Sequence, residues 1–353
     1  MRLTIDGRSI EALPGQTILD AARQAGIYVP ALCYHPRIGK AGRCRACVVE
    51  IEGVRGVKES CATPVREGMV VHTDTARIQQ IRRLVVDLLL SEGHHNCIAC
   101  QASGVCELQE MAYRLGVERP SWIIESEPTP LDTSSEGIVR DPDKCIQCGR
   151  CVAACQNGVV NEVLAFGYRG HHAKVVCDAD VPMGESSCVL CGECVQVCPV
   201  GALVLKRPRE LKIRPYETTT AKVTCPYCGV GCQIDLHSKD ERFAYARAHE
   251  GSWAEQPNQG MLCIKGRFGL DFIDSPDRLR QPLVRRDGEL QPASWDEALG
   301  LVAERLGQVK ADHGSDAIGF FTSAKVTNEE NYALARFARA VIGTNNIDHC
   351  ARL

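Results

Sequence analysis

The first stretch of the chain alternates apolar and polar residues on both sides of a turn signal. In "RLTIDGRSIEAL" the alternation flanks Asp6 and Gly7, a pair typical of two-residue hairpins. "TILDAARQAGI" then has apolar residues at helical spacing and stops at Gly26. The short runs "CVVEIEG" and "MVVHTD" are typical of strands. These patterns predict a small α+β module over residues 1–78.

The next part of the chain has a helical period. "RIQQIRRLVVDLLLSEG" is amphipathic and stops at Gly93, and "CELQEMAYRLGVERP" contains a second helical pattern that ends at Gly116. Residues 79–120 are therefore predicted to be helical. Residues 125–137 are polar and rich in Pro and Ser, which is typical of a linker.

Past residue 290 the pattern changes to that of an α/β layer. Ser294 with Glu297, and Thr327 with Glu330, each have the spacing of a capping box at the start of a helix. "DAIGFFTS" is a continuous apolar run, which predicts a strand buried on both faces. One strand without sheet neighbours leaves its backbone groups unpaired, so we expect this segment to be poorly packed.

Composition and charge narrow the class of protein. The 353 residues are 44% hydrophobic and 24% charged, with a net charge of −3, as in a globular protein without a nucleic-acid surface. The longest apolar runs are too short to span a bilayer, and no export signal is evident. We expect a cytoplasmic protein that is not an integral membrane protein. The 21 cysteines fall in groups with two- and three-residue gaps, which favours metal ligation over disulfides.

Residues 138–208 contain two CxxCxxCxxxC runs, the bacterial two-cluster ferredoxin spacing in which the fourth Cys of each run ligates the other cluster. A zinc ribbon needs only four thiolates in CxxC pairs and fits two such runs badly. We therefore predict two 4Fe-4S clusters. The first set of ligands is Cys145, Cys148, Cys151 and Cys198, and the second set is Cys188, Cys191, Cys194 and Cys155.

Two further groups of cysteines resemble modules of the respiratory NADH dehydrogenase large subunit and of its relatives among hydrogenases and formate dehydrogenases. The first, Cys33, Cys44, Cys47 and Cys61, implies a 2Fe-2S cluster in a β-grasp fold over residues 1–78. The second is Cys97, Cys100 and Cys106, which implies a 4Fe-4S cluster with one His ligand over residues 79–120.

The histidine of that second group departs from the family pattern. The family places the ligand four residues before the first Cys, where this chain has Gly93. His94 and His95 are the nearby candidates, and the sequence leaves open which of them ligates. A water ligand, an incomplete 3Fe-4S cluster or two ordinary loop histidines remain alternatives.

The fourth group of cysteines resembles the N-terminal domain of molybdopterin oxidoreductases, the formate dehydrogenase branch in particular. The resemblance is carried by "CPYCGVGC" and "MLCIKGRFG", and it implies a 4Fe-4S cluster in residues 216–273 and the start of a pterin-binding α/β domain in residues 274–353. It also implies that Lys265 relays electrons between cluster and pterin, the alternative being an exposed surface charge. The implied ligands are Cys225, Cys228, Cys232 and Cys263.

The order of these modules resembles a formate dehydrogenase large subunit over essentially the whole chain. The resemblance implies interconversion of formate and carbon dioxide at molybdenum or tungsten held by two molybdopterin guanine dinucleotides. Electrons would pass through one 2Fe-2S and four 4Fe-4S clusters to a flavin-containing NADH dehydrogenase-like partner or a ferredoxin-linked one. The alternatives are an electron conduit like the NADH-quinone oxidoreductase large subunit and a hydrogenase-associated iron–sulfur subunit.

Two cysteines and the end of the chain stay outside this scheme. We expect Cys177 to be a packed apolar residue, and Cys350 is not assigned as a ligand. In the family a stretch like "GTNNIDHCARL" leads into the metal-ligating residue, expected just after Leu353. A selenocysteine codon read as a stop would end the chain there, and a shortened or naturally split subunit is the alternative. On either view we do not expect catalysis by this chain alone.

Overall fold

The structure is a computed structural model, and the chain divides into two compact units. Part of the predicted linker and all of the last three residues of the chain lie outside the part that the structure describes. The described residues are 1–40, 42–123 and 128–350. The first unit consists of residues 1–220, 237–240 and 262–264, and the second of residues 221–236, 241–261 and 265–353.

The N-terminal module is a five-stranded mixed sheet covered by one helix. The sheet order is β2-β1-β7-β5-β6, in which β1 and β7 are parallel and the other neighbours antiparallel. Helix α1 packs its apolar side on this sheet, as a β-grasp arrangement requires. The elements are β1 (Arg2–Ile5), β2 (Arg8–Glu11), α1 (Ile18–Gln24), β3 (Tyr34–His35), β4 (Gly39–Lys40), β5 (Val48–Ile51), β6 (Val57–Glu59) and β7 (Val70–His72).

Local chemistry explains where these elements begin and turn. Asp6 and Gly7 both have positive φ, 47° and 78°, which a two-residue hairpin turn needs, so the predicted hairpin is confirmed. Thr17 caps α1 in a capping box with Asp20, whose carboxylate bonds back to the Thr17 backbone N–H. Leu19, fully buried against the sheet, contributes about 1.5–3 kcal/mol of hydrophobic stabilisation.

The helical module consists of α2 (Ala76–Ser91) and α3 (Glu107–Leu115), which pack against each other. Gly116 has φ 68° and ends α3 in the left-handed conformation, as its sequence position predicts. Arg82 on α2 is 5% exposed and donates hydrogen bonds to the carbonyls of Ala46 and Val48, both at 3.0 Å. These bonds join the helical module to the loop of the N-terminal module that holds two cysteines.

The third module contains the repeated cysteine runs. Its first and last strands, β8 and β11, pair antiparallel and bring the two halves together. Each half begins a short helix, α4 or α5, directly after a glycine with positive φ. The elements are β8 (Ile138–Arg140), α4 (Arg150–Ala153), β9 (Leu164–Gly167), β10 (Lys174–Cys177), α5 (Glu193–Gln196), β11 (Leu203–Leu205) and α6 (Lys206–Glu210).

The remainder of the chain lies mostly in the second unit. It has a three-stranded sheet in the order β12-β13-β14, a hairpin of β15 and β16, and a parallel pair of β17 and β18. The elements are β12 (Thr219–Thr224), β13 (Gln233–Lys239), β14 (Arg242–Ala248), α7 (Ile264–Phe268), β15 (Leu283–Arg286), β16 (Glu289–Pro292), α8 (Trp295–His313), β17 (Phe320–Ser323), α9 (Asn328–Arg336) and β18 (Ile347–Cys350).

Three sequence expectations for this region need correction. The strand β17 has a neighbour, because β18 pairs with it in parallel, and Phe321 is 84% exposed rather than buried. Thr327 and Glu330 form the full capping box, but Ser294 only accepts from the Glu297 N–H, while the Glu297 carboxylate pairs with Arg286. No side chain of α8 or α9 is buried, which agrees with the expected poor packing.

Two further observations bear on the sequence predictions. Within the predicted linker, Asp132 and Ser134 accept hydrogen bonds from the backbone N–H groups of Met183 and Gly184, so this part is anchored to the third module. In the part of the chain that the structure describes, no helix is both long enough and apolar enough to cross a membrane.

Candidate cysteine-rich metal centres

All 21 cysteines lie within the described residues, and none of them forms a disulfide. Among these residues no three Cys, His, Asp or Glu side chains converge on the position of one metal ion. The thiols are instead distributed around shared spaces. This distribution suits a multi-iron cluster, in which the protein ligands surround a cage of several irons.

The four N-terminal cysteines lie together beside the sheet, in the loops before β3, before β5 and after β6. Cys33, Cys47 and Cys61 are each no more than 2% exposed. The Cys61 thiol donates to Cys47 and lowers the pKa of Cys47 to about 6, against the opposing effect of burial. The Cys44 thiol donates to Cys33, and this bond together with burial raises the pKa of Cys44. Buried thiols at this spacing repel one another when ionised, and iron removes that repulsion.

The second group lines a small cavity at the start of α3. Three cysteines and one histidine face it, together with Lys144 and Gly201 from the third module. Gly201 lies close to the thiol of Cys100, since a β-carbon there would come within 2.5 Å of the sulfur. The cysteines and the histidine that line this cavity are Cys97, Cys100, Cys106 and His95.

The structure distinguishes the two candidate histidines. His94 is exposed and is absent from the cavity lining, whereas His95 is half-buried within it. The Nε2 of His95 lies 3.0 Å from the Leu89 carbonyl oxygen, so that nitrogen carries the proton and Nδ1 keeps a free lone pair. Burial lowers the pKa of His95, which favours the neutral ring that a metal needs.

Gly93, at the family's histidine position, has little room for a side chain. A β-carbon at residue 93 would collide with the carbonyl oxygen of Asp143 and would lie 2.8 Å from the His95 ring. A side chain at this position therefore needs the backbone to move. That His95 takes the place of the family's ligand stays a prediction, which the sequence raised without resolving.

The first ferredoxin set lines a cavity, and the structure brings its four cysteines together across the repeat. Cys198 of the second run faces the same space as Cys145, Cys148 and Cys151 of the first. Burial raises the pKa of Cys148 to about 12 and that of Cys198 to about 11. Such thiols stay protonated unless a cationic group binds them, which fits a cluster site.

The second ferredoxin set lies in the other half of the repeat. Cys155 and Cys194 are 8% and 7% exposed. Burial raises the pKa of Cys188, and the negative charge of Cys155, from the other half of the repeat, raises it further. The Asn161 side chain donates to the sulfur of Cys191 at 3.8 Å.

Three cysteines of the fourth group lie in the second unit. The loop from Cys225 to Cys232 is closed by a 2.8 Å hydrogen bond between the Cys225 N–H and the Cys232 carbonyl. Cys228 lies within this loop, while Cys263 belongs to residues 262–264 of the first unit and is exposed. Lys265 follows on α7 with an exposed side chain. Its role as a relay stays a prediction.

The two cysteines left unassigned differ from each other. Cys177 is fully buried on β10, as expected, but its sulfur also accepts a 2.7 Å hydrogen bond from Arg140. Sequence reasoning missed this contact because it joins strands 37 residues apart. Cys350 is exposed on β18, and its pKa is lowered by a hydrogen bond from the Ser323 hydroxyl.

Five family models match consecutive parts of the chain, and together they cover most of it. They are the 2Fe-2S iron-sulfur cluster binding domain (residues 1–76), the NADH-ubiquinone oxidoreductase-G iron-sulfur binding region (82–121), the 4Fe-4S dicluster domain (144–202), the molybdopterin oxidoreductase Fe4S4 domain (218–275) and molybdopterin oxidoreductase (278–353). The chain belongs with the molybdopterin oxidoreductases that carry NADH dehydrogenase G-type iron–sulfur domains.

Relatives of this molybdopterin oxidoreductase chain have several different names. It is 38% identical over 351 residues to the NADPH-Fe(3+) oxidoreductase subunit alpha of Geobacter sulfurreducens, covering 99% of this chain and 40% of the relative. It is 38% identical to a G-type subunit of the NADH-quinone oxidoreductase of Rhizobium meliloti, covering 100% of this chain and 40% of the relative. A provisionally named formate dehydrogenase of Bacillus subtilis, YrhE, is 35% identical, with 99% and 39% covered. The chain thus spans about two fifths of these relatives.

A solved structure resembles part of the chain. A chain in the crystal structure of NAD+-reducing [NiFe]-hydrogenase in the H2-reduced state matches with a TM-score of 0.55 and 36% identity. The match covers 58% of this chain and 87% of that chain.

Proposed function

We propose that this chain is the iron–sulfur electron-transfer portion of a formate dehydrogenase-type molybdopterin oxidoreductase. Nineteen of its 21 cysteines and His95 supply the twenty ligands of one 2Fe-2S and four 4Fe-4S clusters. The bis-pterin-bound molybdenum or tungsten of the whole enzyme supplies the two-electron chemistry of formate and carbon dioxide. The role of this chain is to accept those electrons one at a time and carry them to a flavin-containing NADH dehydrogenase-like partner or a ferredoxin-linked one.

The observation that carries this proposal is that cysteines from three modules share one apolar core. Cys33 and Cys148 are buried in it, and Cys44, Cys106, Cys145 and Cys198 pack against it. The cavity beside His95 and the cavity of the first ferredoxin set have Val200 as a common wall. Clusters held beside this common wall would lie close to each other, as rapid electron transfer between them requires.

Backbone N–H groups next to the ligands also donate hydrogen bonds to the cysteine sulfurs. The Arg43 N–H donates to the sulfur of Cys33 at 3.4 Å, and the Gln109 N–H donates to the sulfur of Cys106 at 3.5 Å. Such bonds stabilise negative charge on a thiolate and so favour the reduced cluster. The protein sets each potential through these groups, while the irons carry the electron.

A second candidate function is supported by the Rhizobium meliloti relative, which matches the whole chain at 38% identity. On this alternative the chain is a conduit like the NADH-quinone oxidoreductase large subunit and no formate reaction occurs. We favour the formate reaction because "CPYCGVGC" and "CIKGRFG" follow the tandem cluster repeat in the order of formate dehydrogenases.

The 353-residue chain itself tests the cluster content. Anaerobic reconstitution should yield about 18 irons with matching acid-labile sulfide, and EPR should show one 2Fe-2S signal and several 4Fe-4S signals. Uptake of zinc alone in a colourless protein would contradict the proposal.

The formate reaction needs the complete gene product. In the anaerobic enzyme, with molybdenum and tungsten measured, formate without pyridine nucleotide should reduce the clusters. Lys265→Gln should slow this reduction, and Lys265→Arg should retain more of it because the charge is kept. Reduction by NADH but not by formate would favour the conduit instead.

A further inference from the structure

Arg150 and Glu193 occupy the same position in the two halves of the ferredoxin repeat and have opposite charges. Each follows a glycine in the left-handed conformation, Gly149 with φ 80° and Gly192 with φ 73°, and each begins a short helix. Each also lies between two cysteines of its run, one residue before the third. The side chains therefore leave the two ligand loops at equivalent points. Both residues are nearly inaccessible, with 3% and 2% exposure.

Arg150 joins its half of the repeat to the two N-terminal modules. Its guanidinium donates to both carboxylate oxygens of Glu107, to one of them at 2.7 Å, and to the carbonyl of Ala31 at 2.8 Å. Glu107 directly follows Cys106, and Ala31 lies two residues before Cys33. The Glu107 side chain is 43% exposed, so water screens its charge more than that of Arg150.

Glu193 makes the corresponding bonds in the other half. Its carboxylate accepts a 2.9 Å hydrogen bond from Arg37, and both of these side chains are buried, at 4% exposure for Arg37 and 2% for Glu193. Its second oxygen accepts from the backbone N–H of Leu262 at 3.4 Å, directly before Cys263. The Glu193 half thus lies beside a predicted ligand of the fourth cluster, and the Arg150 half beside one of the His95 group.

The surrounding charges have the same asymmetry. Arg140 lines the cavity of the first ferredoxin set, with Asp132 at 3.8 Å from its guanidinium as the counter-charge. In the other half, Asp178 accepts hydrogen bonds from the N–H and hydroxyl of Ser187, directly before Cys188. The residues of the third module beside the ligands are therefore arginines in one half and carboxylates in the other, while the Arg37 that pairs with Glu193 comes from the N-terminal module.

We propose that Arg150 and Glu193 separate the reduction potentials of two otherwise similar clusters, raising that of the first ferredoxin set and lowering that of the second. Reduction adds a negative charge to a cluster, so a buried cation favours the reduced form and a buried anion disfavours it. The effect at Arg150 is the larger one, because water screens Glu107, whereas Arg37 is as buried as Glu193. This inference rests on the cluster ligands of the proposed function.

The separation gives electron transfer a direction. Electrons that enter from the Cys263 side reach the lower-potential cluster first and move to the higher-potential cluster beside Cys106 and Cys33. Transfer from the pterin side toward the N-terminal modules is then downhill between the two halves. These two residues are positioning residues, since they act on the clusters through charge and do not bind substrate.

Redox titration followed by EPR in the reconstituted 353-residue chain tests this. Cys148→Ser and Cys191→Ser, which alter one signal each, identify the two clusters. Arg150→Gln should shift the midpoint of the Cys148-linked signal to lower potential and leave the other nearly unchanged. Glu193→Gln should shift the Cys191-linked signal to higher potential by a smaller amount, and its amide oxygen still accepts the Arg37 bond.

Two control variants distinguish the effect of charge on the midpoint from the effect of altered packing. Arg150→Lys keeps the charge and loses the bidentate bond, so its midpoint should stay near that of the wild type. Glu136→Gln removes an exposed carboxylate just before the ferredoxin module and should shift neither signal. If Arg150→Lys lowers the midpoint as much as Arg150→Gln, or if neither charge change moves a midpoint while iron is retained, the inference is overturned. Loss of both signals in the wild-type chain would instead overturn the proposed ligation.

Discussion

The Nε2 atom of His95 lies 3.0 Å from the carbonyl oxygen of Leu89, and this one bond orients the imidazole toward three cysteines. It holds the proton on Nε2 and leaves a free lone pair on Nδ1, the atom that we predict to coordinate iron. The same chain places His94 on the surface. Two adjacent histidines that look equivalent in the sequence therefore have different roles available to them.

Replacing each histidine in turn should distinguish them. His95→Ala removes the only histidine in the described lining of this cavity, so we expect loss of one 4Fe-4S signal or its conversion to a 3Fe-4S signal. His94→Ala should keep the wild-type iron content. EPR and iron analysis of the two reconstituted variants provide the measurement. Loss of the cluster in the His94 variant alone would show that the assignment is wrong.

Restoring the family's histidine position should not rescue the site. The double variant Gly93→His with His95→Ala places a ring where a β-carbon already collides with the Asp143 carbonyl. We therefore expect its iron content to match that of His95→Ala. Recovery of the missing signal would show that the backbone at residue 93 adapts and that the cavity geometry does not decide the ligand.

Substitutions of the ferredoxin ligands should sort into two groups that cross the repeat. Because Cys198 faces the same cavity as Cys145, serine at either position should perturb the same EPR signal. Serine at Cys155 should match serine at Cys188, because the ferredoxin spacing assigns these two thiols to one cluster. A pattern in which Cys198→Ser instead resembles Cys188→Ser would show that each run binds its own cluster.

Arg82 should stabilise the contact between the N-terminal module and the helical module. Arg82→Met leaves the buried carbonyls of Ala46 and Val48 without their donor, which should cost about 2–4 kcal/mol of unfolding free energy. Urea unfolding of the holoprotein, followed by loss of the 2Fe-2S absorption, measures the change. Arg82→Lys should cost less because it retains a donor. Arg83→Met, at an exposed neighbour, should have a small effect.

Asp20 should make the stability of the N-terminal module depend on acid pH. Burial opposes ionisation, but hydrogen bonds from Tyr34 and Thr17 prevail and lower the pKa of Asp20. A carboxyl whose pKa is lower in the folded state stabilises it above the unfolded pKa, and this contribution is lost as pH falls through the folded value. The difference in unfolding free energy between wild type and Asp20→Asn should therefore shrink from about pH 5 downward.

The matched control for Asp20 is Glu11→Gln, which removes a carboxylate with 85% side-chain exposure from the same module. Its difference from the wild type should stay nearly constant over the same pH range, because water solvates this group in both states. A constant difference for Asp20→Asn would mean that the Tyr34 bond, 2.6 Å long, does not hold the charged form.

Some of this structure could be predicted from local sequence because its cause is local. Asp6-Gly7 specifies a tight hairpin, Thr17 with Asp20 begins a helix, and Gly116 ends one, each through bonds that span four residues or fewer. The continuous apolar run at Phe321 gave a wrong prediction of burial, because burial depends on what packs against a strand. The pairing of β17 with β18 depends on a contact between segments 27 residues apart.

By itself the sequence determined the kinds of centre, because the spacing of cysteines sets how tightly a loop can wrap around a cluster. Tertiary structure decided which groups share a space: His95 rather than His94 in the cavity, Arg140 on the sulfur of Cys177, and Arg150 and Glu193 in opposite environments. These relationships join residues up to 156 positions apart, and only the closure of the folded chain brings their charges and lone pairs together.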